Sequence, residues 1–103
     1  MTSYELGAVI AERQLELVKA DGDVVPCSVK VGQPIPDDHD DWVCPYQLEA
    51  SDSVQLFGMH GIDSMQALVL TLKTLDGEIS SAAKKFGATV RFLDGDHESI
   101  FKP

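Results

Sequence analysis

The 103-residue sequence has few basic residues, few cysteines and no long apolar run. Eight Lys and Arg stand against seventeen Asp and Glu, so the net charge is −9 and the basic surface that nucleic acid or an anionic membrane requires is missing. No apolar segment approaches the roughly 18 residues of a membrane span, and the first residues lack the basic and apolar regions of a signal peptide. We therefore expect a cytoplasmic protein that binds neither nucleic acid nor membrane.

The two cysteines, Cys27 and Cys44, have no C-x-x-C partner, which excludes a zinc ribbon or a thioredoxin motif. Both occupy apolar positions of alternating segments, where burial disfavours the thiolate and lowers reactivity. The sequence also contains no G-x-S-x-G elbow, P-loop, dinucleotide-binding glycine pattern or H-E-x-x-H motif. We predict that the protein is not an enzyme and has no cofactor.

Apolar and polar residues alternate in five segments, which is typical of half-buried strands. The alternation is found at residues 15–17, 25–31, 42–48, 54–56 and 90–92. Between the first two segments, a three-residue loop ending in a left-handed Gly22 places Leu17 opposite Val25, so that the two apolar faces match. A two-residue turn would instead put the apolar sets on opposite faces of the sheet.

A three-residue loop over residues 50–52 likewise predicts that Leu48 lies opposite Val54 and Tyr46 opposite Leu56. The apolar residues at the alternate positions of these two strands then point away from the core and could form a patch on the free face of the sheet. That patch would serve a partner or a homodimer, or be covered by the N-terminal residues 4–10. Its members are Val43, Pro45, Phe57 and Met59.

After Gly61 the apolar period changes from two residues to that of a helix. Asp63 is the predicted N-cap, with Gln66 in a partial capping box, and Gly87 is the predicted stop. Gly77 predicts a bend or a break in the helix. The predicted apolar stripe consists of Met65, Leu68, Leu72, Leu75, Ile79, Ala82 and Phe86.

These elements predict one α+β domain over residues 1–103. We expect two layers, an antiparallel sheet of about five strands in the order β-β-β-β-α-β, and one long helix packed on one face. The last strand is expected beside the first.

Two segments carry a resemblance to a known family. Asp-Trp-Val-Cys-Pro-Tyr at 41–46 and Gly-Ile-Asp-Ser-Met-Gln-Ala-Leu at 61–68 resemble a family of small bacterial single-domain proteins of unknown function. The resemblance covers about residues 10–92. It implies a bacterial source and a single domain, and it assigns no catalytic or binding residue.

The predicted topology brings acidic residues from three chain segments to one end of the domain, which we call the acidic end. No Lys or Arg lies between Val31 and Leu72 to neutralise them. All three histidines, His39, His60 and His97, fall there as well. The acidic residues are Asp37, Asp38, Asp40, Asp41, Asp63, Asp94, Asp96 and Glu98.

Three hypotheses compete for this end. It could dock a basic protein, in which case an immunity-type inhibitor of a basic bacterial toxin is the concrete version. It could bind a divalent metal through His39, His60, His97 and nearby aspartates, although no helical ligand pair is present. It could also be a solubilising surface with no charge-dependent partner.

Overall fold

Alternating apolar residues build one antiparallel sheet, and the helical stripe supplies the element that covers it. The computed structural model describes residues 5–92 and 95–96. Within these residues the α+β prediction is confirmed, since five strands of at least five residues and one helix follow the expected order, and two strands of two residues are added. The elements are β1 (Val9–Lys19), β2 (Val24–Gly32), β3 (Ile35–Pro36), β4 (Trp42–Ala50), β5 (Ser53–Gly61), α1 (Ser64–Lys85), β6 (Ala88–Phe92) and β7 (Gly95–Asp96).

The strands lie in the order β5-β4-β2-β1-β6-β7, and all neighbours are antiparallel. The short β3 pairs with the first residues of β4 and continues the edge that β2 occupies further along. Strand β6 pairs with β1, which confirms the predicted position of the last long strand. Within the described residues, β5 and β7 therefore lie at opposite ends of the sheet, and the short β3 also pairs with one strand only.

The β1–β2 hairpin has the predicted register. Leu17 lies opposite Val25. Gly22 has a φ of +92°, and the Lys19 N–H donates to the Asp23 carbonyl oxygen at 2.8 Å across the loop. The left-handed glycine therefore lets the loop close so that the apolar faces of both strands point to the same side.

The predicted register of the β4–β5 hairpin is wrong by one residue. Ser51 takes a φ of +55°, and a two-residue turn makes Ala50 the partner of Ser53. Leu48 consequently faces Gln55, and Tyr46 faces Phe57 rather than Leu56. The helix covers this edge strand only in part, so burial specifies its register weakly, and the conformation of the turn decides it.

Because of this shift, the apolar patch predicted on the free face of the sheet does not form. Phe57 and Met59 lie on the helix side, opposite Tyr46 and Cys44. Val43 and Pro45 do point away from the helix, but both are buried. The N-terminal residues contribute to this cover, because a side chain added at Gly32 would meet both the Leu6 carbonyl and the Pro45 ring.

Helix α1 begins and ends as predicted. The Asp63 carboxylate accepts from the Gln66 N–H at 2.7 Å, while the Gln66 side chain accepts from the Ile62 N–H at 2.8 Å. Gly87 follows the helix with a φ of +60°. The helix is continuous from Ser64 to Lys85, so the predicted break at Gly77 does not occur.

The buried face of α1 overlaps the predicted apolar stripe only in part, since the two share Leu75 and Ile79. Every fourth residue from 67 to 83 is buried, whereas Met65, predicted to be in the core, is 67% exposed. On the sheet, Cys44 and Tyr46 are buried as expected, and Trp42 is only half-buried. The buried helix residues are Ala67, Thr71, Leu75, Ile79 and Ala83, and they pack on Leu15, Leu17, Cys27, Val29, Val31 and Leu48.

Candidate functional site

The loop between β3 and β4 is built around the carboxylate of Asp37. Asp37 Oδ1 accepts from the N–H groups of His39 at 2.7 Å and Asp41 at 3.1 Å, and the Asp37 N–H donates to the Asp41 carbonyl at 2.8 Å. Asp40 adopts a φ of +63°, a conformation that aspartate tolerates better than most residues. The loop is thus held closed by its own first acidic residue.

Asp37 also ties this loop to the end of β5. Its Oδ2 lies 3.0 Å from His60 Nδ1. The pKa of Asp37 is below its usual value, first because of the His39 N–H bond and then because of the contacts with His60 and the Asp41 N–H, while desolvation acts in the opposite direction. Asp37 is therefore an anchor of the loop rather than a carboxylate available to a partner.

The other acidic residues of this end divide into two groups. Asp38, Asp40 and Asp41 are exposed, and none of them forms an ion pair with any residue that the structure describes. Asp63 is exposed as well, but its carboxylate caps α1. The structure therefore brings together two of the three predicted segments and leaves three carboxylates unengaged.

The third predicted segment does not share this end as far as it is described. Asp96, in β7, pairs with Arg91, which in turn pairs with Glu16 in β1. That position is four strand-to-strand steps from β4, about 19 Å at the usual spacing. The expected convergence is wrong for Asp96 because β6 and β7 lie on the far edge of the sheet. Asp94, His97 and Glu98 lie outside the described residues.

The metal hypothesis gains no observation from the described part of the chain. There, no group of three or more His, Cys, Asp or Glu residues is arranged so that it could hold an ion. His60 is engaged with Asp37, and His39 is exposed in the loop.

Among the described residues, no helix combines the length and the apolar character needed to cross a membrane.

Both cysteines are free and buried beneath the helix. Burial raises the pKa of Cys27 to about 11 and also raises the pKa of Cys44. A nucleophilic cysteine needs the opposite shift, because the thiolate is the reactive form. These thiols accordingly behave as small core residues.

A groove between β5 and α1 was missed by the sequence analysis. It has a volume of about 230 Å³ and separates the exposed edge strand from the second half of the helix. Glu78 lines it, and Glu78 Oε1 accepts a hydrogen bond from the Tyr46 hydroxyl at 3.1 Å. With the predicted register, Phe57 would have pointed away from this groove. Residues lining it include Leu48, Gln55, Phe57, Glu78, Lys85 and Phe86.

A family model described as a domain of unknown function, DUF6968, matches residues 11–101. The chain belongs to the DUF6968 family. No curated protein and no solved structure matches it. Both segments that carried the resemblance lie inside the matched range of this DUF6968 chain. They have clear structural tasks, since Trp42, Cys44 and Tyr46 face the helix, and Gly61 leaves room for the backbone of Ala67 at the start of α1.

Proposed function

We propose that this DUF6968 domain is a non-catalytic binding domain that docks a basic protein through its acidic end. The concrete form of the proposal is an immunity-type inhibitor of a basic bacterial toxin in the cytoplasm. One observation carries it: Asp38, Asp40 and Asp41 are exposed carboxylates on a loop whose shape is already fixed by Asp37.

A fixed loop matters because ordering flexible segments reduces the net free energy of binding. The two N–H bonds to Asp37 and the bond from its own N–H to Asp41 set the backbone before any partner arrives. The three neighbouring carboxylates are then presented in one arrangement to the solvent. A partner with a complementary basic surface would then have to order these side chains but not the backbone of the loop.

The charge surroundings favour fast association with a cation-rich surface. The stretch between Lys30 and Lys73 contains seven acidic residues and neither Lys nor Arg. With a net charge of −9, the chain attracts a basic protein over the Debye length of about 8 Å at physiological ionic strength. Complementary charge of this kind raises the association rate and sets specificity more than it raises affinity.

The test begins with capture of the partner from the native source, followed by kinetics with the purified pair. A loop variant, Asp38→Asn with Asp40→Asn and Asp41→Asn, removes the three unengaged carboxylates. The matched control, Glu12→Gln with Glu49→Gln and Asp52→Asn, removes three exposed carboxylates elsewhere, so both variants have a net charge of −9 + 3 = −6. Because the two variants have the same net charge, a difference between their association rates reports the role of the loop and not that of the total charge.

At low ionic strength we expect the loop variant to associate about tenfold or more slowly than the control, and salt to narrow the difference. The free energies of unfolding of the two variants should remain close to that of the wild type, because all six residues are exposed. Equal association rates for the two variants would show that the loop is not the docking site. The acidic end would then serve solubility alone.

A further inference from the structure

The outer edge of β5 lacks the features that usually protect an edge strand. Its nine residues contain no Lys, Arg, Asp, Glu or Pro, and its pairing with β4 runs without a bulge from Ser53 to Gly61. Within the described residues, no other strand pairs with it. Proteins normally blunt such an edge with charges, prolines or bulges, since its backbone groups can pair with another chain. A straight, neutral edge is suited to accept an added strand.

Glu78 is one of the residues that line the adjacent groove, and its carboxylate is incompletely satisfied. Glu78 Oε1 accepts from Tyr46, but Oε2 is shielded from solvent and has no hydrogen-bond partner among the described residues. Buried polar atoms nearly always have a partner, and a lone exception calls for an explanation. A hydrogen-bond donor on a bound chain would provide one once the Glu78 side chain, which lines the groove, turns Oε2 toward it.

The walls of the groove favour a cationic donor. Phe57 is 42% exposed and lies beside Tyr46, with ring centroids 5.9 Å apart. A guanidinium or ammonium group can stack on the exposed Phe57 ring while it pairs with a carboxylate. Lys85 also lines the groove, about 10 Å further along the helix axis, but it forms no ion pair with Glu78 among the described residues.

A second copy of the chain fits this edge less well. In a two-fold pairing of β5 with itself, each residue of the strand meets the same strand, which carries no Lys or Arg to approach Glu78. A different chain with a basic side chain satisfies the carboxylate and complements the net charge of −9. These two features favour a segment of a basic protein as the occupant.

We infer that an extended segment of the basic partner adds to the free edge of β5 and directs an Arg or Lys side chain into the groove toward Glu78. Side chains of a strand alternate, so this residue and those two positions away face the helix, while their neighbours face the other side. The inference rests on the proposed function and names the part of the partner that is recognised. The edge and groove are then a second contact with the partner, in addition to the acidic end, which lies at the end of β5.

The experiment uses the full chain and three pools of blocked nonapeptides. The central residue is Arg, its neutral isostere citrulline, or Glu, and the other positions are mixtures of Thr, Val and Ser. Backbone amide shifts are followed by NMR for the wild type, Glu78→Gln and Glu49→Gln. Glu49 is an exposed carboxylate on β4, so the two variants lose the same charge and only one of them changes the groove.

We expect the Arg pool, at about 1 mM, to shift amides of β5 and the second half of α1. Glu78→Gln and the citrulline pool should weaken this binding about tenfold, and Glu49→Gln should leave it unchanged. The three carboxylates of the 37–41 loop are not part of this readout, so their triple variant tests the docking proposal separately. A loop variant that binds the Arg pool normally but associates with the basic partner as fast as its charge-matched control would reject the docking site and keep the groove.

Three results would overturn the inference. The first is the absence of shifts at β5 with the Arg pool. The second is equal weakening by Glu78→Gln and Glu49→Gln, which would reflect total charge alone. The third is a dimer at all concentrations that Phe57→Lys dissociates and Val24→Lys, at a similarly exposed strand position, does not, because the edge would then belong to a second copy.

Discussion

The hydroxyl of Thr71 donates a hydrogen bond to the carbonyl oxygen of Cys44 at 3.3 Å, between the helix and the sheet. Both residues are fully buried. Cys44 lies where β4 passes from β2 to β3: the β2 pairing ends at Tyr46 and the β3 pairing begins at Val43. The helix therefore supplies a polar contact at the point where β4 changes its neighbour from β3 to β2.

Replacing Thr71 by Val keeps the shape of the side chain and removes the donor. We expect the free energy of unfolding to fall by about 1–3 kcal/mol, because the buried Cys44 carbonyl loses a partner. Urea denaturation measures the change. Thr71→Ser, which keeps the hydroxyl, should recover part of the loss, and Thr74→Val on the half-buried flank of the helix is the control. Equal stability of Thr71→Val and wild type would show that this bond contributes nothing.

The centre of the helix–sheet interface is Leu75, which has no exposed surface. Leu75→Ala should lower the free energy of unfolding by about 2–5 kcal/mol through lost burial and the cavity left behind. Leu72→Ala should cost less, since Leu72 is only half-buried. Met65→Ala, at a side chain that is 67% exposed, is the control and should change stability by less than about 0.5 kcal/mol. A larger effect at Met65 than at Leu75 would contradict the buried face of α1 that the structure shows.

Two glycines should respond to substitution with opposite signs. Gly22→Val places a β-branched residue at a φ of +92° and should destabilise the protein by more than about 1 kcal/mol. At Gly77, nothing lies within 4 Å of an added Cβ, so Gly77→Ala should raise stability by about 0.5–1 kcal/mol through helix propensity. Thermal unfolding of both variants checks this. A stable Gly22→Val protein would argue against the left-handed loop.

The two hairpins show how far sequence patterns determine register. At the β1–β2 hairpin, both strands are central and buried on one face, so a shift by one residue would expose Leu17 and the pattern leaves a single solution. At the β4–β5 hairpin, the outer strand is largely exposed, and the alternation of Val54 and Leu56 marks the face away from the helix. A positive φ at Ser51, a residue type with no strong left-handed preference, decided the register.

The acidic end shows how far the sequence determines the positions of candidate site residues. Chain direction alone places the loop at 37–41 beside the end of β5, and the contact between Asp37 and His60 confirms that neighbourhood. It does not determine how far β6 and β7 extend or where they sit along the sheet, so the position of Asp96 could not be derived. The capping role of Asp63 was predicted from its place before the helix, whereas the role of Asp37 depends on hydrogen bonds within its loop that the sequence pattern does not encode.

The role of Asp37 as an anchor gives a prediction about pH. Its pKa is lowered in the folded chain, first by the His39 N–H bond, so its stabilising contribution is present above the ordinary pKa of 3.8 and is lost as the pH falls through the lower folded value. Asp37→Ala should therefore destabilise the protein at neutral pH, and its deficit relative to wild type should shrink in acid. Urea denaturation between about pH 7 and about pH 3 measures this.

Asp38→Ala is the matched control for this pH series, because it removes a neighbouring carboxylate that is exposed and bonds no backbone N–H among the described residues. Its stability relative to wild type should vary little with pH, or rise slightly at neutral pH through relief of repulsion in the loop. A deficit of Asp37→Ala that persists unchanged in acid would mean that the charged carboxylate does not hold the loop. The three exposed carboxylates would then lack the fixed geometry on which docking of a basic partner depends.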